Sequence, residues 1–205
     1  MEQIIKLFPN LTEVQIEQLD ALLPLYTEWN SKINVISRKD IDKLFSNHVL
    51  HSLMIAKYFN FKADTKILDA GTGGGFPGLP LAIMFPTCDF TLADSIGKKL
   101  KVINAISKEI GLNNIKTIHS RVEDIDGEYD FITSRAVTRL DEMWNWVEHL
   151  ISQKNKNVKP NGLLYLKGGD ISLEIPTGLK IERFGLSSIV NNDFYSEKSL
   201  IYLHN

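Results

Sequence analysis

Residues 66–82, KILDAGTGGGFPGLPLA, run from a short apolar segment through an acid into five glycines, with prolines at 77 and 80. Glycine has no β-carbon, so Gly71, Gly73 and Gly75 supply main chain that can turn tightly and let a ligand approach closely. A strand before such a loop and a helix after it make the pattern a binding loop rather than a simple turn. In an open parallel sheet, ligands lie beyond the carboxyl ends of the strands, and the loop after the first strand floors the site. This stretch therefore constrains both the fold and the place of the site.

The rest of the chain agrees with that frame. From Lys66 onward, short apolar runs (KILDA, DFTLAD, IKTIHS, YDFITS, GLLYLKG) alternate with amphipathic stretches at Gly78 to Met84, Lys98 to Ile110 and Leu140 to Ile151. Strands alternating with helices predict an α/β, Rossmann-like fold with right-handed crossovers and a mostly parallel sheet. The last two runs, LKIERFGL and SLIYLHN, are expected to form a C-terminal antiparallel hairpin joined by a short polar connection. Before Lys66 the texture differs. Ile16, Leu19, Leu23, Tyr26 and Trp29, then Ile41, Leu44, Phe45, His48 and Ser52, recur at helical spacing. Thr12 and Gln15 have the form of a capping box, and Pro24 is expected to kink or interrupt the first helix. The reading is an N-terminal helical extension over 1–60 and a ligand-binding domain over 61–205, a length that suits one domain with its extension.

The loop's ligand can be narrowed by charge. A phosphate loop needs Gly-Lys-Ser/Thr opening the helix, where this chain has Phe76-Pro77-Gly78. A dinucleotide loop needs a small third residue against the sheet, and Phe76 stands there. Asp69 before the loop would repel a pyrophosphate. A ligand without phosphate but with ammonium and sulfonium groups tolerates that acid, and S-adenosylmethionine has both. Asp94 ends the next strand, where an acid holds ribose hydroxyls or caps the following helix. Val122 and Glu123, after the third strand, are placed to cover an adenine ring.

Composition closes off other classes. The single Cys88 excludes an internal disulfide and a cysteine-based zinc cluster, and with no apolar run long enough to span a bilayer the expectation is a cytoplasmic chain with no membrane role. His48 and His51 are three apart, yet no carboxylate or cysteine completes a ligand set, so no metal is expected. Trp144 and Trp146 read as helix-packing aromatics. The formal net charge of −2 gives no global sign of nucleic acid.

Seven segments, in order and with matching spacing, resemble one known family: WNSKINVIS, HVLHS, ILDAGTGGGFPGLPLA, LADSIGKKLKVI, SRVED, ITSRAV and LYLKGG. The chain resembles the bacterial small-subunit ribosomal RNA methyltransferase G family, whose members form 7-methylguanine in 16S ribosomal RNA. The resemblance implies a class I methyltransferase fold, S-adenosylmethionine as donor, and a guanine near the decoding region as acceptor, free or within the small ribosomal subunit. It carries donor contacts to Gly71, Phe76, Val122, Glu123 and Arg135. It places Asn34, Lys98 and Lys167 among RNA or active-site positions.

The chemistry is consistent with that acceptor. Guanine N7 has a free lone pair and no proton to lose, so alignment and a suitable field suffice. Amine methylation goes with an Asn/Asp-Pro-Pro-aromatic loop after the fourth strand, where this chain has Thr133-Ser134-Arg135-Ala136. Methylation at cytosine C5 needs a cysteine, and Cys88 begins the second strand, far from the site. By topology Lys98, Lys99, Lys101, Arg121, Arg135, Arg139 and Lys167 should gather on one rim that meets RNA phosphates. The chain is expected to act as a monomer. On residues alone, a small-molecule methyltransferase and a non-catalytic donor-sensing RNA-binding module stay open.

Overall fold

The computed structural model describes residues 1–205. Its centre is a seven-stranded sheet in the order β3-β2-β1-β4-β5-β7-β6. The strands are β1 (Lys66–Ala70), β2 (Asp89–Asp94), β3 (Ile115–His119), β4 (Phe131–Arg135), β5 (Gly162–Gly168), β6 (Lys180–Gly185) and β7 (Lys198–His204). The first five pair in parallel, and β7 pairs antiparallel with both β5 and β6. The order reverses at β1, which lies between β2 and β4, so the crevice at their carboxyl ends is the binding position of an open α/β sheet.

The helices are α1 (Glu2–Leu7), α2 (Glu13–Asp20), α3 (Leu22–Lys32), α4 (Leu50–Leu53), α5 (Gly78–Met84), α6 (Gly97–Glu109) and α7 (Leu140–Val147). Alternate residues of each strand face opposite sides, and the two faces have separate cores. One face buries Ile67, Phe90, Phe131 and Leu164 with α5, α6 and the N-terminal helices, including Leu19, Leu22, Tyr26 and Leu50. The other buries Leu68, Ile132 and Tyr165 under Leu140, Met143, Trp144 and Val147 of α7. The helices of residues 1–60 thus share a core with the sheet. No helix is long and apolar enough to cross a membrane.

The capping box forms: Gln15 N–H donates to Thr12 Oγ1 at 3.3 Å, and Thr12 N–H to Gln15 Oε1 at 3.0 Å. Gln15 Nε2 also donates to the Ile83 and Met84 carbonyls at the end of α5. Thr12→Ala is expected to cost about 1 kcal/mol in denaturant unfolding. The break between α2 and α3 falls at Ala21, and Pro24 sits in the first turn of α3, where a missing N–H costs little.

Two expectations are revised. The β6–β7 connection is not a short polar turn. It buries Leu186, Val190 and Tyr195, and the Tyr195 hydroxyl donates to the Ser46 carbonyl at 2.6 Å. Residues 44–49, read as ordinary helix, form a π-helical turn leading into α4.

Candidate donor and acceptor site

The glycine loop leaves β1 and enters α5 with Gly71, Gly73 and Gly75 at φ +69°, +59° and +100°. A β-carbon on Gly73 would meet nothing within 4 Å, so this part of the loop faces open space. The loop is held from several sides. Asp94 at the tip of β2 accepts from the Gly73 N–H (2.9 Å) and from the Ile96 N–H (2.8 Å), with Lys99 Nζ 3.5 Å away. Asp94 is therefore the clasp between two loops. The following helix is capped without a side-chain hydrogen bond, so the helix-cap alternative is not realised.

Asp69 is placed differently from the sequence expectation. It is fully buried beneath the loop, and its carboxylate accepts from Thr72 Oγ1 (2.5 Å), the Gly78 N–H (2.8 Å) and Thr133 Oγ1 (3.1 Å). Its side chain lies under the cleft and does not line it, because alternation along β1 turns residue 69 to the face where α5 begins. A β-carbon at Gly78 would lie 2.7 Å from Asp69 Oδ2, which is why glycine opens α5. Burial raises the Asp69 pKa to about 6, against the three hydrogen bonds and the Arg135 charge that lower it.

Arg135 ends β4 and turns inward. One guanidinium nitrogen donates to the Asn47 carbonyl at 3.4 Å, another meets His48 Nδ1 at 3.1 Å, and the group stands 5.3 Å from the Phe76 ring centre. No carboxylate pairs with it; burial lowers its pKa, opposed by Asp69. Burial first, then Arg135, lower the His48 pKa to about 4, so His48 is neutral at pH 7 and accepts from Arg135. The π-helical turn at 44–49 carries both the Asn47 carbonyl and His48, as such turns often do at functional sites. The Phe76 ring is buried against Tyr26 and His48.

Val122 is buried at the start of a short 3-10 turn after β3, beside the tip of β2, since His119 pairs with Asp94 in register. Glu123 follows it and lies 3.6 Å from Arg121. Lys98 is exposed on the first turn of α6. Asn34 is exposed on the loop whose Val35 carbonyl would lie 3.0 Å from a β-carbon on Gly74.

The expected cationic rim is largely neutralised. Lys167 is paired with Glu174 and donates to the Thr138 carbonyl at 3.3 Å, so it is no free phosphate ligand in this conformation. Arg139 pairs with Asp141 and Arg121 with Glu123. Lys98 and Lys101 remain unpaired and exposed.

Three residues escape the sequence reading. Asn30 shapes the Asn34 loop, accepting from Val35 and Ile36 N–H and donating to the Ile36 carbonyl at 2.8 Å. Tyr26 bonds the glycine loop. Val137 lies over Gly71, where an added β-carbon would come within 2.6 Å of its side chain. Only the spacing WNSKIN, with Asn30 four residues before Asn34, could have hinted at the first.

The residues present suit the sulfonium donor expected from the loop. Two carboxylates, Asp69 and Asp94, lie under or beside the glycines, a field that favours a cation over a pyrophosphate. Sheet order, glycine loop and strand-tip acid together define a class I methyltransferase fold. Solved structures agree on the fold: a mutant of MtNAS in complex with S-adenosylmethionine (TM-score 0.58, 10% identity, covering 92% of this chain and 75% of that one), and a SAM dependent methyltransferase from Aquifex aeolicus (TM-score 0.53, 16% identity, covering 82% and 98%). Residues 15–175 match the family model described as rRNA small subunit methyltransferase G. The chain is 50% identical over 204 residues to the protein called ribosomal RNA small subunit methyltransferase G from Cytophaga hutchinsonii, covering 99% of each chain. To the protein of that name from Flavobacterium psychrophilum it is 48% identical over 203 residues, covering 99% of this chain and 97% of the other. It belongs to the rRNA small subunit methyltransferase G family.

Proposed function

We propose that this chain transfers a methyl group from S-adenosylmethionine to N7 of a guanine in the decoding region of 16S ribosomal RNA. When bound, the donor would supply a methyl group carried on a sulfonium, whose sulfur would leave as a neutral thioether as the acceptor nitrogen bonds the methyl carbon in line. The protein's part is to align the two and exclude water.

The observation that carries this reading is the absence of a free base at the tip of β4. The Thr133 hydroxyl donates to Asp69 and the Ser134 hydroxyl to the Ala70 carbonyl at 2.7 Å, both buried. Cys88 is buried at the opposite end of the sheet, its pKa raised by burial to about 11. A site so arranged fits an acceptor that has no proton to lose and needs no thiolate. The donor is held by the main chain of Gly71, Gly73 and Phe76, with Asp94 toward the ribose and Val122 and Glu123 beside the adenine. Arg135, at the inner end of the cleft, takes an anionic or carbonyl oxygen of donor or guanine. Asn34 and Lys98 flank the opening toward RNA, and Lys167 joins them only by exchanging Glu174 for a phosphate. The Asp69 carboxylate acts from below, through the loop and its charge.

The test is methyl-labelled donor with small ribosomal subunits, free 16S RNA and a metabolite pool. Label in RNA at one guanine, released by borohydride and aniline cleavage, is the expected result, since that chemistry breaks the chain at 7-methylguanine. Label that resists cleavage overturns N7 as acceptor. Label confined to small molecules overturns RNA as substrate.

A further inference from the structure

The glycine loop is held by two acids of the sheet, yet one of its carbonyls is held by an N-terminal helix. Tyr26 of α3 is fully buried, and its hydroxyl donates to the Gly74 carbonyl at 2.5 Å. Its ring packs at 5.1 Å against Phe76, the residue two further along the loop. At Gly75 a β-carbon would lie 2.9 Å from the same hydroxyl. Four residues on, and so on the same face of α3, Asn30 fixes Val35 and Ile36, and the Val35 carbonyl covers Gly74. One face of one helix therefore meets Gly74, Gly75 and Phe76.

The consequence is specific to the turn. The Gly73 N–H points to Asp94 and the Gly78 N–H to Asp69, while the intervening Gly74 carbonyl points the other way, to Tyr26. The Gly75 N–H of the Gly74–Gly75 peptide is held within the loop by the Thr72 carbonyl at 2.9 Å, whereas the Gly74 carbonyl, the other end of the same plane, is held from α3; between two glycines, with their wide conformational choice, that second anchor fixes the plane. Burial raises the Tyr26 pKa far above its ordinary value, so the hydroxyl is a donor at every working pH. Asp94 and Asp69 cannot substitute, since both accept hydrogen bonds and neither offers one to a carbonyl.

We propose that Tyr26 is a positioning residue for the methyl donor: α3 sets the Gly74–Gly75 peptide through the tyrosine hydroxyl, making donor affinity depend on the N-terminal helices. This rests on the reading of the glycine loop as the donor site. It gives those helices a part in donor binding, distinct from any share in the RNA surface. Core packing alone would require the ring and not the hydroxyl.

The test uses the full chain and direct binding of S-adenosylmethionine by calorimetry. Tyr26→Phe keeps the ring and removes one oxygen. Its donor Kd is expected to rise about tenfold, with kcat at saturating donor and KM for RNA within about twofold of the parent. A donor Kd within about twofold, or an equal rise in KM for RNA, overturns the proposal. Should Tyr26→Phe fail to fold, Asn30→Ala releases Val35 from the same loop, and an unchanged donor Kd in that variant overturns it equally. Gly73→Asn separates the two levels, because asparagine tolerates the left-handed φ of +59° at this position and its side chain enters the open space above the loop. Normal donor binding by Gly73→Asn would sink the donor-site reading itself. Loss there with normal binding by Tyr26→Phe would sink only the role of Tyr26.

Discussion

Arg135→Met is expected to lower kcat/KM for RNA methylation about a thousandfold, roughly 4 kcal/mol of transition-state stabilisation, while leaving the protein as stable or more so. Arg135 makes no salt bridge. Its guanidinium has a carbonyl, a neutral imidazole nitrogen and an aromatic ring around it, with no carboxylate in salt-bridge range. Keeping such a charge partly out of water costs free energy, and a methionine of similar volume removes that cost. Stability therefore gives no account of this arginine, whereas a bound anion or a guanine oxygen does. Single-turnover methyl transfer and thermal unfolding of the same preparation check the two halves. A variant within tenfold of the parent in transfer, or one that melts well below it, refutes the argument.

A second large effect is expected at Asp69. Its folded pKa is raised to about 6 from an ordinary 3.8. A group raised on folding stabilises fully below its unfolded pKa, and that contribution is lost as pH climbs through the folded value. Between about pH 4 and pH 6 the parent should lose about 3 kcal/mol relative to Asp69→Asn, which has no charge to bury. Asparagine retains an oxygen for Thr72 and Gly78, and its amide can donate to the Thr133 hydroxyl, so the loop survives. Asp69→Ala leaves the Thr72 hydroxyl and the Gly78 N–H without this acceptor, and the Thr133 hydroxyl with only the long contact to the Leu68 carbonyl at 3.5 Å, and should cost about 3–5 kcal/mol at pH 5. Denaturant melts from pH 4 to pH 8 decide the matter: parallel stability curves for parent and Asp69→Asn would contradict the burial argument. An ionised carboxylate kept at this cost is consistent with a cation bound above it, so donor affinity should fall in Asp69→Asn even where stability rises.

Much of the architecture was legible in the chain. The five parallel strands and three covering helices follow from short apolar runs alternating with amphipathic stretches of helical period, whereas the reversal of strand order at β1 is a property of the tertiary structure. The strand-tip rule sets Gly73 beside Asp94, and the two are joined by a hydrogen bond. The same rule failed in detail for Asp69 and Lys167. Both stand at strand tips, but one faces down into α5 and the other is taken by Glu174. The N-terminal helices were legible as helices and not as part of the loop's support.

What the sequence by itself determined are the local and periodic properties: where strands and helices fall, which loop must be glycine, which acids and cations sit at strand ends. Only the tertiary structure decided which of those groups are spent on one another. Tyr26 reaches Gly74 across 48 positions, and Arg135 reaches His48 across 87. Periodicity reports how a side chain faces within its own element. Whether a charge is free for a ligand depends on the atom opposite it, and that atom belongs to another element brought there by burial of a shared core.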